Sequence, residues 1–147
     1  MTSFDVVYTA FLSSILEDDW TGWTETEIKA DIFTFLQKAI ARFKFPRVSL
    51  DYTSEGFTDT LTNDEVQILA CFMKCEWLSR TLLRWDNVKP LYVERDFSQA
   101  NFLDKLNATL ELTEKQAAKL ESKYYRSIKH RPFNYGALAT SIPDNND

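Results

Sequence analysis

The chain has 147 residues, 44% hydrophobic and 14% aromatic, which is enough to build one packed domain and too apolar for a disordered chain. Three glycines and four prolines argue against a many-turned β protein, and a formal net charge of −5 disfavours a dedicated nucleic-acid binder while leaving room for a local basic patch. The opening MTSFDVVYTA has neither the basic start nor the cleavage pattern of a secretory signal.

Taken in order, the pattern predicts a first helix over about 4–17, capped by Ser3, with Phe4, Val7, Phe11 and Ile15 on one face. Glu17, Asp18 and Asp19 close it. Negative charge is unfavourable at a helix C-terminus, so a basic group of this chain or another is expected to meet that corner. The turn Trp20-Thr21-Gly22-Trp23 follows, and Thr24 with Glu27 then forms a capping box at the head of a second helix. Its stripe is Ile28, Ile32, Phe35, Leu36, Ala39 and Phe43, and Pro46 stops it.

Residues 47–61 change period. Val48, Leu50 and Tyr52 alternate with Ser49, Asp51 and Thr53, Ser54-Glu55-Gly56 supplies a turn, and a short run from Phe57 to Leu61 follows. The expectation is a two-stranded excursion or an extended loop. Such a hairpin is marginal alone and must pack on the helices or on a neighbour.

The stretch NDEVQILACFMKCEWLSRTLLRW, 63–85, is the most apolar long run. Thr62 or Asn63 caps it, Asp64 and Glu65 suit its first turn, and Arg80 and Arg84 suit its far end. Val66, Leu69, Met73, Trp77 and Leu83 mark one face, and Ile68, Phe72 and Leu78 widen it to most of the circumference. Apolar nearly all round, it reads as the central helix of a soluble core. Lys74, Glu76, Arg80 and Arg84 interrupt it too often for a membrane span. Cys71 and Cys75, four apart on this helix, share a face without meeting disulfide geometry. They read as buried small hydrophobes, in keeping with a reducing compartment.

After a break at Asp86-Asn87 and Pro90, Ser98 is expected to cap a long polar helix over about 98–130. Leu103, Leu106, Leu110, Thr113, Ala117, Leu120 and Tyr124 recur on it at spacings of three and four. A helix spanning about 50 Å either folds back along the other three or projects to form a seam with another chain. The segment from Pro132 has no helical stripe, yet it carries Phe133, Tyr135, Leu138 and Ile142. Spaced apolar anchors of this kind suit a tail that docks on a partner surface.

Charge is unevenly placed. Residues 1–31 hold the acids Asp5, Glu17, Asp18, Asp19, Glu25, Glu27 and Asp31 against Lys29. Residues 105–131 hold Lys105, Lys115, Lys119, Lys123, Arg126, Lys129 and Arg131 against Glu111, Glu114 and Glu121. The split reads either as solvated faces of two helices or as head-to-tail complementarity between copies of the chain.

No catalytic pattern is present: no GxGxxG, no Walker sequence, no HExxH and no GxSxG. His130, the sole histidine, stands in KHRPF as a helix-terminal cation rather than a member of a triad. No catalytic residue, metal ligand or cofactor is therefore expected. The run Lys123-Tyr124-Tyr125-Arg126 interleaves bases with aromatics, as nucleic-acid contacts do, but Tyr124 belongs to the apolar stripe, and an acidic protein partner is the preferred reading.

Leu61-Thr62, Glu65, Glu76-Trp77-Leu78 and Phe97-Ser98-Gln99-Ala100-Asn101 together resemble the small helical neck proteins of tailed bacteriophages, the head–tail connector, adaptor and head-completion proteins. The resemblance covers roughly 60–130, and the N-terminal part agrees in helical layout. It implies a structural virion protein at the head–tail interface, present in the host cytoplasm during assembly. It further implies a homo-oligomeric ring, twelve-fold if it matches a portal, set between the portal protein and the next neck or tail protein. DNA would pass through that ring without sequence-specific binding. The alternative is a non-catalytic cytoplasmic interaction module.

The expectation is thus an all-α (mainly) fold: a four-helix domain over 1–131 with one long C-terminal helix, a β-like excursion at about 47–61 and an extended tail, 132–147. Phe133, Tyr135, Leu138 and Ile142 would dock on the portal or a neighbouring ring. Glu17, Asp18 and Asp19 of one subunit would face Lys123, Arg126, Lys129 and Arg131 of the next. No membrane is involved.

Overall fold

The computed structural model describes residues 1–15, 19–88 and 96–128, with the backbone alone at 86–88, 96–100 and 128. It is mainly helical: α1 (Phe4–Leu12), α2 (Glu25–Arg42), α3 (Asn63–Val88) and α4 (Asp96–Ile128), with two short strands, β1 (Thr2–Ser3) and β2 (Gly56–Phe57).

The central helix is the expected one. α3 packs against α1, α2 and α4 and buries Val66, Ile68, Leu69, Ala70, Phe72, Met73, Cys75, Leu78 and Leu82. Its apolar surface is used on every side but one. Leu83, expected on the inner face, is 63% exposed, because it stands six residues after Trp77 and so about 240° round the helix from it. Its start is clasped by Glu65, which accepts a hydrogen bond from the Thr62 backbone N–H at 3.0 Å. Glu65 itself is buried at 1% exposure, and its second carboxylate oxygen accepts from the Tyr124 hydroxyl of α4 at 3.2 Å. A buried carboxylate survives only when its oxygens are bonded, and here the two bonds join a helix cap to a neighbouring helix.

α4 folds back along α3. Tyr124 meets Glu65 at the start of α3, and the Thr113 carbonyl meets Cys71 nearer the middle of α3, so the two helices run antiparallel. Leu103, Thr113, Ala117 and Tyr124 of the predicted stripe are buried, Leu106 and Leu110 are half-buried, and Leu120 lies at the exposed edge. The stripe is therefore filled largely within the chain, not by a second one. The helix begins at Asp96, two residues before the expected Ser98 cap, and the described part ends at Ile128. Arg47 caps this end: it donates to the Tyr124 carbonyl and the Ser127 hydroxyl at 2.7 Å each and lies 4.5 Å over the Tyr124 ring. A cation there also suits the helix dipole.

α1 is shorter than expected, ending at Leu12 rather than near residue 17. The Ser13 and Ser14 hydroxyls bond back to the carbonyls of Ala10 and Phe11, a local alternative that competes with continued helix. The capping box of α2 is present in both halves, Thr24 with Glu27. α2 lays Ile32, Phe35, Leu36 and Ala39 on the core beside Phe11 and Trp20.

The excursion at 47–61 turns back on itself as expected: Tyr52 and Phe57 form an antiparallel bridge, and the Thr53 and Thr58 N–H groups donate to the Gly56 and Asp51 carbonyls at 2.9 and 3.0 Å. What was not expected is a further partner, because the strand β2 also pairs with the N-terminal β1, with Thr2 opposite Phe57 and Ser3 opposite Gly56. The Thr2 hydroxyl accepts from the Leu61 N–H at 2.8 Å. Gly56 is required at this crossing, since a Cβ there would fall on the Thr2 carbonyl oxygen. The excursion thus packs on the helices by way of the N-terminus.

Candidate functional site

Most of the N-terminal acids are engaged inside the chain. Asp31 on α2 receives a two-pronged contact from Arg80 of α3, at 2.7 and 2.9 Å, and a third bond from the Trp20 indole at 2.8 Å. The Arg80 hydrogen bonds hold its carboxyl below the usual carboxylate range against the opposing effect of burial. Asp19 accepts from the Trp77 indole at 2.8 Å and lies 3.7 Å from Arg84. The corner expected to need a cation finds one at Asp19 in its own chain, which Arg84 supplies from α3. Asp5 and Glu25 share Lys29, at 3.4 and 3.1 Å, and Glu27 is spent on the α2 cap.

The basic side is different. Lys119, Lys123 and Arg126 are exposed on α4, and no carboxylate among the described residues lies within ion-pair distance of them. Lys119 and Lys123 stand on the rim of a groove of about 410 Å³ between α1, α3 and α4. Ala10, Ala70, Cys71 and Leu120 give it an apolar floor, Ser14, Gln67 and Gln116 lie along it, and Lys74 completes the rim from α3. The small side chains Ala10 and Ala70 create the depression where three helices would otherwise close over one another. A second basic hollow, lined by Ala118, Lys119, Ser122, Lys123 and Arg126, continues along the outer face of α4.

Cys71 reaches the groove, whereas Cys75 is fully buried behind it. A hydrogen bond from Cys75 lowers the Cys71 pKa, helped by Lys74 and Arg42. That same bond, together with burial, pushes Cys75 up. The sequence reading of two buried small hydrophobes therefore holds for Cys75 and only partly for Cys71.

A larger hollow of about 650 Å³ lies between α1, α2 and the turn at 52–55, lined by the ring triad Phe4, Phe33 and Tyr52 with Asp5, Lys29 and Glu55. The rings stand 5.5 to 5.8 Å apart and pack on one another. Its charges are largely balanced by the Lys29 contacts.

Of the residues singled out from sequence for subunit contacts, Lys123 and Arg126 are on the open basic face and Asp19 is held inside the domain. Glu17, Asp18, Lys129 and Arg131 lie outside the described residues, as do His130 and the tail anchors Phe133, Tyr135, Leu138 and Ile142. The groove itself escaped sequence reasoning, because small residues at 10 and 70 carry no signal until three helices are set side by side. Among the described residues no group of three histidine, cysteine or acidic side chains is placed to hold a metal ion, and no helix is long and apolar enough to cross a membrane. Comparison with known proteins finds no matching family model, no similar curated protein and no similar solved structure.

Proposed function

We propose that this chain is a non-catalytic structural subunit of a tailed-phage neck, assembling as a ring between portal and tail around the DNA channel. One observation supports this reading above the others. The residues that carry the resemblance to neck proteins are, where described, the fasteners between helices. Glu65 ties the head of α3 to Tyr124. Glu76 pairs with Arg42 of α2 at 3.3 Å. Trp77 holds Asp19. A motif spent on bracing a helical scaffold suits a protein whose work is assembly.

In the ring, the open basic face of α4 around Lys123 and Arg126 faces the acidic N-terminal region of the next copy. Each exposed pair contributes about 0–1 kcal/mol, so charge sets orientation while apolar contacts hold the ring. Head-to-tail contacts of this kind close into rings when the rotation permits. The tail anchors then engage the portal or a neighbouring ring.

The test is genetic. A stop codon introduced early in the coding sequence, in a phage that encodes this chain, is expected to leave DNA-filled heads and finished tails unjoined in electron micrographs. Normal virions from the same lysate would refute the proposal. The second reading, a cytoplasmic interaction module, draws on the lysine-rimmed groove, and it predicts a chain absent from purified virions.

A further inference from the structure

We infer that copies of this chain join through two surfaces on opposite flanks of α1, the lysine-rimmed groove of one copy receiving the acidic turn at 51–55 of the next. The inference rests on the ring reading above and names the surfaces that make the contact.

The groove supplies one half. Lys74, Lys119 and Lys123 rim an apolar floor of Ala10, Ala70 and Leu120. Among the described residues no carboxylate lies within ion-pair distance of these three lysines. The occupant that complements such a surface brings negative charge to the rim and some apolar surface to the floor.

The turn supplies the other half. Asp51 and Glu55 are exposed, with Asp59 beside them, and among the described residues no cation lies within ion-pair distance of them. They differ in this from Asp5 and Glu25, which share Lys29, and from Asp31, which holds Arg80. Tyr52 stands between the two acids, 41% exposed, its ring steadied by Phe4 and Phe33 at 5.8 and 5.7 Å. The turn is also held by its own backbone, through the Thr53 bond to Gly56 and the Thr58 bond to Asp51. It therefore presents charge and ring edge in a preformed shape, which lowers the ordering cost of association.

Geometry makes the partner another copy. At about 100° per residue, Ala10 in the groove is turned about 120–160° round α1 from Phe4, Asp5 and Tyr8, which line the hollow against the turn. The buried Val7 and Phe11 fall between Ala10 and Tyr8. The groove and the turn thus open on opposite flanks of the helix, and a turn fixed by its own bonds cannot reach the groove of its own copy. A contact between unlike surfaces leaves one groove and one turn free at the ends, so it propagates head to tail and closes into a ring when the rotation permits. The acids that meet Lys119 and Lys123 are then those of the turn, next to Asp5, and not the ones already spent inside the domain.

Charge-swapped full-length chains test this, each checked by circular dichroism for unchanged helix. D51K/E55K makes turn and groove both basic, and K119E/K123E brings acids to the groove while the turn stays acidic. In sedimentation velocity at low salt, wild-type chain is expected to associate as concentration rises and to dissociate as salt screens the contact. Each variant alone is expected to associate about tenfold more weakly or worse, because like charges meet. Their equimolar mixture is expected to recover the wild-type behaviour, since every turn then opposes a groove of the other sign. A photo-crosslinking residue at position 52 is expected to link to 67–74 or 116–123 at dimer mass and above. Wild-type chain that stays monomeric at every concentration would overturn the inference, as would variants that associate like wild type or a mixture that fails to recover. A crosslink at monomer mass, or one to any other segment, would overturn it too. An overturned swap in a chain whose stop codon still leaves heads and tails unjoined removes these paired surfaces and leaves the neck reading standing.

Discussion

Removing either partner of the Asp31–Arg80 contact should loosen the junction of α2, α3 and the Trp20 turn. The pair is two-pronged at 2.7 and 2.9 Å, and Trp20 adds a third bond to the same carboxylate. Arg80 also lies 4.4 Å over the Phe35 ring. The side chains are only 25% and 17% exposed, so the contact belongs between a solvated pair, worth at most about 1 kcal/mol, and a buried one, whose disruption costs about 3–5 kcal/mol. Arg80 Nε is buried without an acceptor among the described residues, a desolvation cost that trims the net value. We therefore expect D31N and R80A each to lose about 2 kcal/mol, and a double-mutant cycle to give a coupling of about 1.5 kcal/mol. Urea titration followed by circular dichroism measures both, with roughly 4–8 °C lost from Tm in parallel scans. The sign of the pH effect is fixed by the lowered pKa of Asp31. Its contribution is complete above the unfolded carboxylate value, about 4, and is lost as pH falls through the lower folded value. Wild type should thus lose stability on acidification across that window, and D31N should lose less. A coupling below about 0.5 kcal/mol, or identical acid profiles, would refute the reasoning.

Three further outcomes follow from particular contacts. Y124F removes the hydroxyl shared by Glu65 and the Arg47 N–H, leaving a buried carboxylate short of a donor, and should cost about 1–3 kcal/mol in the same urea assay. G56A places a methyl on the Thr2 carbonyl and should free the β1–β2 pairing, read as rapid hydrogen exchange at Leu61, whose amide depends on Thr2. Burial, helped by Asp5, pushes the Tyr8 pKa to about 12. Its neutral form is therefore favoured in the fold, so that stability should fall as pH rises from about 10 to about 12, and Y8F should flatten that decline.

The helices were legible because each carries its own punctuation. Thr24 with Glu27 and Thr62 with Glu65 announce starts in the sequence, and the stripes of α2, α3 and α4 point to a shared core. Failures occurred where the deciding partner is distant in sequence. Nothing local tells Gly56 that Thr2 will lie across it. The early end of α1 has a local cause instead, the Ser13 and Ser14 hydroxyls bonding back to Ala10 and Phe11, which the apolar stripe running on to Ile15 outweighed in the sequence. The charge split was correctly counted but needed the fold to interpret it. Asp31 and Arg80 are far apart in the chain and adjacent in space, so much of the acidic half is consumed internally and the basic face of α4 is what remains open. The groove was least legible, since alanines at 10 and 70 and a leucine at 120 look like ordinary stripe edges until three helices meet.

The most direct measurement is a cryo-electron-microscopy reconstruction of the neck in virions of a phage that encodes this chain. The account predicts a closed ring of identical four-helix domains coaxial with the portal, with Lys123 and Arg126 of each copy facing the acidic N-terminal region of the next. A neck without this domain, or a ring in which those two surfaces never approach, would contradict it.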